Sequence, residues 1–111
     1  MNNKVIALVD SLCKATQKDR VKWSPVLTDV FRAKVGPGHV TISHELEQND
    51  EKTWKCIGLR ISDAKGRIVE NTDLQENSDF YPLFDGLFQA ARRSAMSSDS
   101  IIDEMLAEIG K

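Results

Sequence analysis

The chain has 111 residues, one ordinary domain's worth and enough to bury a core without disulfide or metal staples. Its 41% hydrophobic and 29% charged residues place it in the globular range, away from the disordered class. Fifteen basic against 17 acidic side chains, a net charge of −2, exclude a general attraction to nucleic acid or to anionic membranes. No stretch approaches the roughly 20 apolar residues of a membrane span. Met1-Asn2-Asn3-Lys4 leads only into a short apolar run broken by Asp10, unlike a secretion signal, so the expected location is the cytoplasm.

Residues 3–17 read as a helix, with Val5, Ile6, Leu8, Val9, Leu12, Cys13 and Thr16 at three- and four-residue spacings. Residues 24–34 admit two readings. Ser24 followed by Pro25 can cap and open a short helix with Val26, Leu27, Val30 and Phe31 as its stripe. The preferred reading is a loop leading into a strand, because Phe31-Arg32-Ala33-Lys34-Val35 alternates apolar and cationic residues. Gly36-Pro37-Gly38 then turns the chain. Val40, Ile42, His44 and Leu46 alternate with His39, Thr41, Ser43 and Glu45, which predicts a second strand paired to the first.

After the polar loop 48–52, a third strand spans 53–61. Ile57, Leu59 and Ile61 share one face, and Trp54, Cys56, Gly58 and Arg60 the other. Apolar residues on both faces suggest a central strand. Asp63-Ala64-Lys65-Gly66 is a hairpin connection, and residues 68–72 form a more polar edge strand. Leu83, Phe84, Leu87, Phe88, Ala91 and Ala95 mark a strong helix over about 79–96. Asp79 or Ser78 can cap it, Pro82 is tolerated in its first turn, and Arg92 and Arg93 complement its dipole at the end. Ser97-Ser98-Asp99 opens a last helix carrying Ile101, Ile102, Met105, Leu106 and Ile109. The expected fold is α+β over a single domain, 1–111. It has an N-terminal helix, a four-stranded antiparallel meander, and two C-terminal helices packed on one sheet face.

An N-terminal amphipathic helix followed by Lys22-Trp23 is one part of a recurring layout. The rest is Phe31-Arg32-Ala33, Gly36-Pro37-Gly38-His39-Val40-Thr41-Ile42, a Gly66-containing hairpin, and Ala91-Arg92-Arg93-Ser94-Ala95 before a short helix. This layout resembles small bacterial proteins of unknown function. The resemblance implies a bacterial or mobile-element origin and carries over no activity.

Catalytic and metal-binding patterns are missing from the sequence. Cys13 and Cys56 fit neither a disulfide framework nor a zinc site, and both are expected to be buried free thiols. His39 and His44, five apart on one strand, point to opposite faces and are expected at the surface. There is no nucleophile elbow, no phosphate-binding glycine loop and no His-Glu-x-x-His. Asp103-Glu104 opens a helix, where negative charge is favoured, and Glu45 and Glu47 share one side of a strand. No cofactor and no metal are expected, and an enzyme is disfavoured.

Two surfaces remain as candidates. On the sheet face away from the helices, Arg32, Lys34, Trp54 and Arg60 would place cations around an aromatic, an arrangement some modules use for single-stranded nucleic acid. The other surface is helical and consists of Arg92, Arg93 and the final stripe with Ile101 and Met105. That stripe is expected to pack largely on its own domain and to leave a contact for a protein partner or a second copy. The leading functional expectation is a non-catalytic adaptor, inhibitor or immunity-type protein. A nucleic-acid-binding module is the second reading and a small enzyme with an unrecognised site the third.

Overall fold

In the computed structural model, which describes residues 2–110, the chain order is α1 (Asn3–Gln17), β1 (Trp23–Leu27), β2 (Val30–Val35), β3 (Gly38–Gln48), β4 (Thr53–Ser62), β5 (Ile68–Gln75), α2 (Tyr81–Ala95) and α3 (Ser98–Ile109). Each strand pairs antiparallel with its neighbour in sequence, which gives a five-stranded meander. The α+β class and the two C-terminal helices are as the sequence predicts; the strand count is five, not four.

The additional strand is β1. Residues 24–27 belong to neither a short helix nor a loop. They pair with β2 through Ser24 opposite Arg32 and Pro25 opposite Phe31, with an irregularity before Leu27. Proline has no N–H for a ladder and is confined to sheet edges, where β1 lies. The Thr28-Asp29 turn places Asp29 at φ 56°, a left-handed position that Asp tolerates better than most residues. What holds β1 in place is Trp23. Its ring is buried, its indole Nε1–H donates to Thr16 Oγ1 at 2.9 Å, and its backbone N–H donates to Ser94 Oγ at 3.2 Å. One residue thereby ties the edge strand to both α1 and α2.

The core lies between one sheet face and two helices. Val5, Val9 and Leu12 of α1 and Phe84, Leu87, Phe88 and Ala91 of α2 join Phe31, Ala33, Val40, Ile42, Ile57, Leu59 and Leu74 in one buried cluster. The strand residues in it alternate along β2, β3 and β4, so the period-2 pattern correctly selects the inward face. α2 crosses β1 to β4 and packs against α1. Phe88 contacts Phe31, ring centres 5.6 Å apart, and His44 at 5.4 Å.

The helix starts differ from expectation. α2 begins at Tyr81 with Phe80 as a cap that makes no side-chain bond, while Ser78 Oγ accepts from the Phe80 N–H just outside. α3 follows Ser97, a left-handed residue at φ 52° whose hydroxyl makes no cap bond either. The larger difference is packing. Two helices do cover the sheet face, but they are α1 and α2. α3 touches α2 and buries none of its residues.

Candidate interaction surfaces

α3 is a two-sided helix whose apolar side is largely exposed. Ile101 and Ile102 are each 46% exposed, Met105 59%, Leu106 61% and Ile109 81%. At 100° per residue these five occupy one continuous sector. Met96, just before the helix, is also exposed. The sequence expectation that this stripe packs on its own domain is overturned: α1 and α2 close the buried cluster, and α3 contributes no residue to it. Arg93 pairs with Asp99, which fixes the first turn of α3 near the end of α2. Arg93 is therefore a brace between helices, and Arg92 is exposed on the last turn of α2.

The uncovered sheet face is organised in rows across the strands. Arg32 lies opposite Ser24 on one side and Thr41 on the other, and Thr41 lies opposite Arg60, which faces Asn71. The next row toward the β2–β3 turn holds Lys34 opposite His39. Arg32 and Lys34 are exposed and Arg60 half-buried, and none of the three makes an ion pair among the described residues. The expected register and outward direction of these cations hold.

Trp54 does not join them. It sits six residues from Arg60 along β4, about 20 Å away at strand rise. Its pair is Glu47, and the adjacent row sets Glu45 beside Cys56 and Gln75. Its indole Nε1–H is buried and has no acceptor among the described residues. The face is thus polarised, with Arg32, Lys34 and Arg60 toward one end and Glu45, Glu47 and Trp54 toward the other. Gly58 keeps the middle low, since a β-carbon there would meet Ser43 Oγ and Asp73 Oδ1, each at 2.9 Å.

The cysteines divide as well. Cys56 is buried, though on the uncovered face and not in the core; burial, then Glu47, Asp73 and Glu45, hold its thiol above the ordinary value. Cys13 is only half-buried, at the margin of α1, with its Sγ 4.0 Å from Leu83 O. Burial and the nearby Asp10 raise its pKa too. Both thiols therefore stay protonated near neutrality and are poor nucleophiles.

One cleft was not anticipated from the sequence. Asp29, His44, Lys55, Tyr81, Asp85, Phe88, Gln89 and Arg92 enclose about 280 Å³ beside the end of β3. Its members come from three elements, β3, β4 and α2, and the β1–β2 turn, and no sequence spacing joins them. His44 is half-buried here against Phe88, not free at the surface as expected, whereas His39 is on the opposite sheet face. Burial and the neighbouring carboxylates of Asp85 and Glu76 push the Tyr81 phenol up, so it is a proton donor and not a base at neutral pH. Cations and carboxylates are mixed around the cleft, which gives it no net sign with which to hold an anion or a cation.

Among the described residues no group of three or more His, Cys, Asp or Glu side chains could hold a metal ion, and no helix is long and apolar enough to cross a membrane. Comparison with known proteins finds no matching family model, no matching curated protein and no matching solved structure.

Proposed function

We propose that this chain is a non-catalytic protein-interaction module of a bacterial cytoplasm, an adaptor, inhibitor or immunity-type protein that engages its partner through α3. The observation that carries the reading is the α3 stripe, with no buried residue and about half to four-fifths of each apolar side chain exposed, beside a core that is closed without it. Full burial of an aliphatic side chain is worth roughly 1.5–3 kcal/mol. Five of them left in water on one helix form a contiguous patch of the kind that marks a binding surface. An amphipathic helix presenting anchors at three- and four-residue spacing is a standard way to fill a partner's groove.

Truncation after Ser97 tests this. The shortened chain should melt within a few degrees of the full chain and keep its secondary structure, because α3 contributes nothing to the buried cluster. Binding to a host partner is expected of the full chain and not of the shortened one, as read by pull-down of both from host lysate. A collapse of the melting temperature would place α3 in the fold and sink the reading.

A second reading rests on the row Arg32–Thr41–Arg60, two guanidinium groups on β2 and β4 that flank β3 and make no ion pair among the described residues, and that could grip a phosphate backbone. The acidic end of the same face, with Glu45 and Glu47, opposes a strand of nucleic acid laid along it, and Trp54 stands too far away to stack beside the cations. Binding of a single-stranded oligonucleotide that weakens steeply with salt and is lost in Arg32→Glu would support this second reading.

A further inference from the structure

We infer that the partner of α3 is a different protein carrying an apolar groove rimmed by lysine and arginine, an inference that rests on the interaction-module reading above. The charge on α3 is of one sign. From Ser98 to Ile109 its ionisable residues are Asp99, Asp103, Glu104 and Glu108, with no cation among them. Projected at 100° per residue, Glu104 and Glu108 border the apolar sector on one side and Asp99 and Asp103 on the other. The stripe is therefore bracketed along both edges by carboxylates. Asp99 is engaged by Arg93 of the same chain and Glu108 also has an interaction of its own, so Asp103 and Glu104 are the two on which recognition depends here.

That bracket discriminates among the occupants of the stripe. A lipid surface is disfavoured, because helices that lie on membranes carry lysine and arginine on their polar flanks and bacterial leaflets are anionic. A second copy of α3 is disfavoured twice. Pairing two such helices face to face sets carboxylates against carboxylates along the seam, which costs stability. A helix about 18 Å long and about 10 Å across, paired only with its twin, also buries well under the roughly 800 Å² per partner of a stable interface. A groove that wraps both flanks of the helix removes more area, and cations on its rim turn Asp103 and Glu104 from liabilities into contacts. Rim pairs of this kind set the approach rate and the choice of partner more than the final affinity.

The experiment uses the full chain with a photoreactive residue, Met105→benzoylphenylalanine, irradiated in host lysate. The same residue at Lys65, in the exposed β4–β5 turn, serves as control. The crosslinked peptide is identified by mass spectrometry. The inference expects one foreign protein, crosslinked at an apolar segment bordered by lysine or arginine. The yield should fall several-fold when salt is raised well above physiological strength, and several-fold again when Asp103→Lys and Glu104→Lys are introduced together; circular dichroism should show the variant folded. A foreign segment without cations, captured equally by the charge-reversed chain, overturns the charge inference and leaves the module reading standing. Crosslinking to α3 of a second copy overturns it in favour of self-association. A yield no higher than at Lys65 overturns both.

Discussion

α2 and α3 follow one another across a single turn at Met96-Ser97, and each repeats large apolar residues at helical spacing. In α2 the repeat is buried: Phe84, Leu87 and Ala91 have no exposed surface and Phe88 almost none. In α3 the repeat is open along its whole length. Local propensity and amphipathic pattern are shared, so neither decides the outcome. What differs is what lies beneath. α2 and α1 share one buried cluster with the inward face of the sheet. The left-handed Ser97 and the Arg93–Asp99 pair then turn α3 away from that cluster. An amphipathic stripe states that a helix needs a partner surface, and the space available decides whether the partner is in the same chain.

Substitution at matched positions is the sharpest way to break this comparison. Phe84→Ala should cost about 3–5 kcal/mol in denaturant unfolding, as for a large ring removed from a closed core. Leu106→Asp on α3 should change stability by no more than about 0.5 kcal/mol. Similar losses at the two sites would mean that α3 belongs to the core. Thr16→Val comes next in size. It removes the acceptor of the Trp23 indole while keeping the volume, and leaves a buried donor unsatisfied at a cost of about 1–3 kcal/mol. A neutral result would show that Trp23 anchors β1 by packing alone.

A smaller effect is expected from alkali. Cys13, Cys56 and Tyr81 all have folded-state pKa values raised mainly by burial. The unfolded chain therefore releases these protons first, and stability that is intact at neutral pH falls as pH rises past the ordinary thiol value of 9.0. Melting temperatures taken at stepped pH should decline from there, and a flat profile would show the thiols to be open to water. The smallest effect belongs to the uncovered sheet face. Arg32→Glu with Lys34→Glu should leave stability within about 0.5 kcal/mol, since both cations are exposed and without an ion pair among the described residues, and such cations contribute little. A clear loss would indicate a buried or paired cation.

The legible parts of the fold are those in which one residue's environment is set by its own strand or helix. The alternation Phe31-Arg32-Ala33-Lys34-Val35 and the paired faces of β4 gave the correct inward side, and Gly66, at φ 81°, took the left-handed turn position expected of it. β1 was illegible because Pro25 and a five-residue length argue against a strand unless an edge is known to be free. Its retention depends on the Trp23–Thr16 bond between segments seven residues apart. The candidate sites divide the same way. The outward cations are readable from alternation, but alternation fixes only the face and leaves the distance along it open, and six residues of β4 separate Trp54 from Arg60. The cleft around His44 and Tyr81 arises from chain crossings that no spacing encodes. The fate of α3 depends on how the first two helices close the core.

Gly38 opens β3, where a β-carbon would lie 2.0 Å from the carbonyl oxygen of Ser62 and 3.1 Å from its carbon. Both obstacles are backbone, so no rotamer change relieves them. The β2–β3 turn is seated directly against the end of β4, and the seat admits hydrogen alone. Position 38 is thus a strict filter on substitutions in this chain. In a saturation library scored by survival of folded protein, it should emerge as one of the most restricted sites, stricter than the φ-positive Gly36 two residues earlier, around which there is open space. A distant relative sought by pattern is best sought by that glycine together with the tryptophan that pins the edge strand.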